Sequence, residues 1–98
     1  MRLRDRGGTP WITRYSPIFE AAFYKRAADN EGLWDILISF EDAVCVNPRI
    51  VGEQHPGFSD ERMWVYESPP LNRLPKVTIL YEIDDENGIV ILWNFRCS

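Results

Sequence analysis

The sequence predicts an α+β domain with the element order β-α-α-β-β-β, in which a hairpin of two helices packs on one face of a small antiparallel sheet. Two consecutive segments carry apolar residues at three- and four-residue spacing, and three later segments are rich in β-branched and aromatic residues. A chain of 98 residues is too short for a second independent core. We therefore expect residues 1–8 to form a flexible N-terminus and residues 9–98 to form a single domain.

The first half of the chain predicts one strand followed by the two helices. Residues 11–15 are typical of a short strand, and Ser16-Pro17 then begins a helix, because serine is a favoured N-cap and proline a favoured first helical residue. The second helix is expected over about residues 33–46 and ends at Asn47-Pro48. Since only a short polar break separates the two helices, they are expected to be antiparallel neighbours.

The second half predicts an antiparallel meander. Its strands are expected at residues 63–66, 77–83 and 89–95. Asn87-Gly88 supplies a hairpin turn between the last two strands, and residues 48–61 form a long loop rich in proline and glycine. Strict alternation along the last strand would place Val90, Leu92, Asn94 and Arg96 on one face.

Composition excludes several classes of function. An apolar content of 45% with 27% charged residues is typical of a globular protein and not of a disordered one. A formal net charge of −4 argues against broad, charge-driven binding of nucleic acid. No apolar run approaches the roughly 20 residues that span a bilayer, and the N-terminus is not a secretory signal, so we expect a cytoplasmic protein. Cys45 and Cys97 have no neighbours at metal-ligand spacing and are interpreted as reduced thiols.

Two sets of polar residues are candidates for chemistry. The second half of the chain contains five well-separated cations that a meander can bring to one edge, where they would bind phosphate. They are Arg49, Arg62, Arg73, Lys76 and Arg96. The alternative is that they are ordinary surface charges paired with neighbouring glutamates. His55, the only histidine, is either a general acid or base or an exposed loop residue with no role.

Several local motifs resemble the RelE/ParE family of bacterial toxins. Residues 76–83 form a strand with Tyr81 near its end, an acidic turn with a glycine follows, and residues 89–96 form an apolar strand that ends in Arg96. The opening Tyr15-Ser16-Pro17, followed by an amphipathic helix, also fits. The resemblance extends over about residues 11–96 and implies the same β-α-α-β-β-β fold.

The resemblance also implies a function, that of the toxin in a type II toxin–antitoxin system. RNA-cleaving members cut messenger RNA on the ribosome, and their chemistry needs neither a metal nor another cofactor. Arg96 matches the family's arginine at the end of the last strand and would stabilise the scissile phosphate. His55 and Arg62 are further catalytic candidates, whereas Arg49, Arg73 and Lys76 are candidates for binding phosphate or RNA; all five are placed by region.

Two other functions follow from the same resemblance. RNA-cleaving members carry an arginine three residues before the tyrosine of the middle strand, where this chain has Thr78. A ParE-like inhibitor of DNA gyrase, or a catalytically inert member that only binds protein, would not need that arginine. All three functions imply an antitoxin partner, for which Trp64 and Tyr66 are candidate anchors. For Trp93 we expect a place in the core.

Overall fold

The structure is a computed structural model, and it describes residues 10–54, 61–67 and 76–97. In chain order the elements are β1 (Ile12–Tyr15), α1 (Pro17–Ala27), α2 (Gly32–Val46), β2 (Glu53–Gln54), β3 (Glu61–Tyr66), β4 (Val77–Asp84) and β5 (Ile89–Cys97). The strands form one sheet in the order β1-β5-β4-β3-β2. The predicted flexible N-terminus, residues 1–8, lies outside the described residues.

The predicted α+β class, with a helical hairpin on one face of a sheet, is confirmed. The sheet itself differs from the prediction in two respects. It is mixed, because β1 runs parallel to β5 while the other neighbouring strands are antiparallel. It also contains β2, which pairs with Met63 and Arg62 of β3 and lies inside the segment predicted to be a loop. A strand of two residues has no periodicity of its own that a sequence pattern would show.

The predicted start of α1 is confirmed by its cap. The Ser16 hydroxyl accepts a hydrogen bond from the Phe19 N–H at 3.0 Å, which satisfies a backbone donor that the first helical turn leaves free. The same hydroxyl donates to the carbonyl oxygen of Trp93 at 2.7 Å. Ser16 therefore joins the start of α1 to the last strand of the sheet.

Aromatic rings dominate the core between α1, α2 and the sheet. The Phe23 ring lies 4.9 Å from the Trp34 ring and 5.1 Å from the Phe95 ring, both in edge-to-face geometry. The predicted apolar stripe of α2 is buried in the same core; it consists of Leu33, Ile36, Leu37, Phe40 and Val44. The helical periodicity thus identified the buried face of α2.

A β-bulge interrupts the pairing of β4 with β5. Tyr81 pairs with Leu92, whereas its neighbour Leu80 pairs with Asn94, so Trp93 is an extra residue on β5. Beyond the bulge the alternation is reversed, and Phe95 is buried against the helices. The prediction that Val90, Leu92, Asn94 and Arg96 share one face is therefore wrong, because of these four only Val90 and Leu92 face the helices.

The hydroxyl of Tyr81 forms two hydrogen bonds to the segment that leads into β2. It donates to the carbonyl oxygen of Pro48 at 2.7 Å and accepts from the N–H of Gly52 at 2.9 Å. Gly52 lies so close to the sheet that a Cβ atom on it would be 2.7 Å from the Met63 carbonyl oxygen. Glycine therefore allows the backbone to approach β3 and β4 at this point.

Tyr15 at the end of β1 is tied to α2. Its hydroxyl donates to the carboxylate of Glu41, and the Thr13 hydroxyl donates to the same carboxylate at 3.1 Å. Burial, followed by the hydrogen bond and the negative charge of Glu41, raises the pKa of Tyr15 above its usual value. The folded protein therefore favours the protonated phenol.

This contact predicts a loss of stability at alkaline pH. Below the usual tyrosine pKa of about 10, Tyr15 is protonated in both the folded and the unfolded chain, so its contribution is fully present. Above that pH the unfolded chain ionises first, and the contribution falls as the pH rises towards the higher pKa of the folded chain. The difference in unfolding free energy between the wild type and Tyr15→Phe should therefore shrink between pH 9 and 11, as measured in urea. An unchanged difference would contradict the assignment.

Candidate functional site

The helices cover one face of the sheet, and we call the other its open face. It is defined by the residues that alternate with those in contact with the helices. These are Ile12 and Arg14 of β1, Ile89, Ile91, Trp93, Asn94 and Arg96 of β5, Thr78, Leu80, Glu82 and Asp84 of β4, and Glu61, Met63 and Val65 of β3. Because the candidate residue Arg96 belongs to the open face, we take this face as the candidate functional site.

Arg96 lies at one end of the open face. It pairs with Thr78, which in turn pairs with Val65, so the three side chains form a row across β5, β4 and β3. The Arg96 side chain is exposed, and within the described part of the chain no ion pair neutralises it. A guanidinium group in this position is free to bind a phosphate or carboxylate.

The opposite end of the open face is acidic. Glu61 pairs with Glu82, which also lies opposite Ile91, and Asp84 is two residues further along β4. These carboxylates would repel a polyanion that lay over the whole face. A phosphate group near Arg96 would be away from these carboxylates, and the row there contains threonine and valine beside the arginine.

Trp93 belongs to the open face and not to the core, so the prediction of a core residue is wrong. The bulge turns the indole outward, and Trp93 is 37% exposed. The indole Nε1–H donates a hydrogen bond to Glu82 Oε1 at 2.8 Å. Sequence reasoning missed this pair. The Asn87-Gly88 turn predicted the hairpin of the last two strands, but nothing in the sequence indicated the extra residue.

Arg62 and Arg49 lie at the other end of the sheet, and both side chains form contacts within the protein. Arg62 is opposite Tyr81 on the helix side, and its Nη2 donates to the carbonyl oxygens of Arg49 and Gly52, each at 2.5 Å. Its Nε is buried, without a hydrogen-bond partner in the described residues. The Arg49 guanidinium forms an ion pair with Asp85 at 2.5 Å.

The described cations do not converge on one edge of the sheet. Arg62 and Arg96 pair with residues three positions apart on β4, so they are separated by about 10 Å along the strand and point to opposite faces. Lys76 lies at the same end of the sheet as Arg96, and its Nζ is 4.0 Å from Glu67. His55 and Arg73 fall outside the described residues. The catalytic and phosphate-binding roles stay predictions for these five residues and for Arg49.

Trp64 and Tyr66 lie on the helix side of β3, at the border of the core. The Trp64 ring is 5.0 Å from the Phe40 ring, and the Tyr66 ring stacks on Trp64 at 6.0 Å. Both residues are half-buried. Their role as anchors for a partner stays a prediction, and the contact of Trp64 with Phe40 packs β3 against α2.

The described residues contain no group of three or more histidine, cysteine or acidic side chains that could hold a metal ion. Cys45 and Cys97 are both free thiols. Burial, and then the charges of Glu41 and Asp42, raise the pKa of Cys45, which keeps the thiol protonated. Neither helix is long and apolar enough to cross a membrane.

Comparison with known proteins identifies the fold of the chain. No protein-family model matches the chain, and no curated protein matches it in sequence. The structure is similar to that of the RelBE2 toxin–antitoxin complex from Mycobacterium tuberculosis, with a TM-score of 0.71 and 15% sequence identity. The match covers 91% of this chain and 99% of the matched chain. The chain therefore has a RelE-like fold, as the resemblance of its sequence motifs to the family implied.

Proposed function

We propose that this chain is the toxin-like component of a toxin–antitoxin pair and that its open face carries the toxic activity in the cytoplasm. The observation that supports this most is the position of Arg96, an exposed cation at the end of the last strand of a RelE-like fold. The matched structure is a complex of a toxin with its antitoxin. An antitoxin partner for this chain is proposed on the same ground.

The first candidate for the activity is metal-independent cleavage of messenger RNA on the ribosome. In this reaction the ribose 2′-oxygen loses its proton and attacks the adjacent phosphorus, and the 5′-oxygen leaves with a proton. Negative charge accumulates on the phosphate oxygens as the new bond forms. The guanidinium of Arg96 would bind those oxygens more strongly in the transition state than in the ground state.

The second candidate is action through protein contacts alone, as a ParE-like inhibitor of DNA gyrase or as an inert binding module. Thr78 beside Arg96 and the carboxylates of Glu61 and Glu82 favour it, because Thr78 adds no positive charge to the row of Arg96 and the two carboxylates repel a phosphate. Val65 and Trp93 add exposed apolar surface to the same face. Surface of this kind is suited to a protein partner.

Expression in a bacterial host without the antitoxin tests the proposal. We expect growth arrest with the wild type and relief of it with Arg96→Ala, because a contact made to the reacting phosphate is worth about 10²- to 10³-fold in rate. Arg14→Ala is the matched control, since Arg14 is an exposed arginine at the far end of the open face. It should arrest growth like the wild type.

Two readouts separate the candidates. Mapping of messenger RNA ends should show new cleavage sites if the chain is a ribonuclease, and a supercoiling assay should show inhibition if gyrase is the target. Arrest that Arg96→Ala leaves intact, with RNA unbroken, would overturn the ribonuclease assignment. A wild type that neither slows growth nor binds an antitoxin would overturn the toxin assignment altogether.

A further inference from the structure

The open face has an apolar centre between two charged ends. Leu80 and Met63 pair with each other in the middle of β4 and β3. Ile91 of β5 adds a half-buried apolar side chain to the same face, and Trp93, at the bulge, is 37% exposed. The helices pack on the other face of the sheet. An exposed apolar surface that polar residues surround is typical of a site of protein–protein contact.

The charged ends of the open face are equally far from this centre. Arg96 pairs with Thr78, which lies two residues from Leu80 along β4. Glu82 lies two residues from Leu80 in the other direction and pairs with Glu61. Each separation is about 7 Å, because a strand rises about 3.4 Å per residue. The ion pairs between described residues include none of these three charged side chains, so all three are available to charges of a partner.

This spacing makes the open face complementary to itself. When a second copy lies on the face with its strands antiparallel, a two-fold axis at the level of Leu80 brings Arg96 of each copy to the level of Glu82 of the other. Stacked sheets lie about 10 Å apart, and neighbouring strands about 4.8 Å apart, which an arginine and a glutamate side chain span together. Leu80 and Met63 of the two copies then meet near the axis, where they exclude water.

Arg14 does not cancel this complementarity. It lies on β1 at the level of Glu82, with Ile91 between them, and its guanidinium donates to the carbonyl oxygen of Thr13 at 3.3 Å. The three carboxylates at this end of the described face outnumber it; they are Glu61, Glu82 and Asp84. This end therefore attracts a cation such as Arg96 of a second copy.

We propose that the open face binds a second copy of this chain in a two-fold symmetric dimer. Arg96 of each copy forms an ion pair with Glu82 of the other, and Leu80, Met63 and Trp93 form the apolar centre of the interface. The dimer does not rest on any toxic activity. It does cover Arg96, so a chain whose Arg96 acts on a phosphate would have to act as a monomer.

Sedimentation velocity of the full chain tests the dimer. The wild type should change from monomer to dimer between about 1 and 200 µM, as expected of a small interface, and raised salt should favour the monomer. Arg96→Glu and Glu82→Arg should each raise the dissociation constant at least about tenfold, since each places like charges together at two symmetric positions. An equimolar mixture of the two variants should form a heterodimer, because each substituted charge then faces its opposite.

Lys25→Glu is the matched control, because it changes the net charge as Arg96→Glu does but lies on α1, outside the open face. It should change the dissociation constant less than about twofold. The proposal is wrong if the wild type stays monomeric, if the mixture of the two variants forms no heterodimer, or if Lys25→Glu weakens the dimer as much as Arg96→Glu does. The measurement does not involve toxicity, so its failure is distinguishable from failure of the toxin assignment.

Discussion

Phe23→Ala is expected to lower the free energy of unfolding by about 3–5 kcal/mol. Phe23 is 1% exposed, and its ring contacts those of Trp34 and Phe95, so the substitution removes contacts of α1 with α2 and with β5 at once. The loss is a large share of the roughly 5–15 kcal/mol that stabilises a typical domain. Urea unfolding followed by circular dichroism measures it.

Ile18→Ala is the matched control for this prediction. Ile18 is on the same helix but is 61% exposed, so its truncation should change stability by no more than about 0.5 kcal/mol. Phe23→Leu keeps most of the buried volume and should fall between the two variants. If Phe23→Ala cost no more than Ile18→Ala, the aromatic cluster would not be the centre of the core.

Tyr81→Phe is expected to cost about 2 kcal/mol, although it removes a single oxygen atom. The lost hydroxyl leaves the Pro48 carbonyl oxygen and the Gly52 N–H without their partner. The effect should also be local, because these two groups fix the segment that enters β2. Amide hydrogen exchange at Gly52 and Gln54 should accelerate more than exchange in β4 and β5.

Tyr24→Phe is the control for the loss of a hydroxyl, since Tyr24 is exposed on α1. It should change stability by less than about 0.5 kcal/mol. Retention of wild-type exchange at Gly52 in Tyr81→Phe would show that the hydroxyl does not hold this segment.

Features of the fold that depend on short stretches of sequence were predictable. The Ser16-Pro17 start of α1 depends on one serine hydroxyl and one N–H within three residues, and the structure contains that bond. The apolar stripe of α2 depends only on spacing along one helix, and all five stripe residues are buried. The Asn87-Gly88 turn likewise predicted the β4–β5 hairpin, where Gly88 has a φ of 66°.

Features set by pairing between distant segments were not predictable. The bulge at Trp93 depends on how β5 fits against β4, and it decides which of Phe95 and Arg96 is buried. The parallel pairing of β1 with β5 joins residues 77 positions apart, Ile12 and Ile89. A strand's composition does not specify its neighbour or its direction, so the mixed sheet was not evident in the sequence.

The candidate site was predicted in part. Arg96 was selected by its resemblance to a family motif, and the structure places it on the face that the helices leave open. Whether the cations gather could not be decided from their positions in the sequence alone. Arg62 shows why, because its guanidinium binds the backbone carbonyls of Arg49 and Gly52, which lie on a segment with no regular pattern.

The pairing of β1 with β5 has a consequence for biosynthesis. β1 is made early, but its partner β5 follows every other described strand in the chain. Until β5 has been made, Phe19 and Phe23 of α1 lack the Phe95 ring on which they pack. The core of the described residues is therefore complete only after β5 has joined it, and contacts over such long separations are slow to form. The hydrogen bond of Trp93 to Glu82 on the open face likewise forms only at that stage.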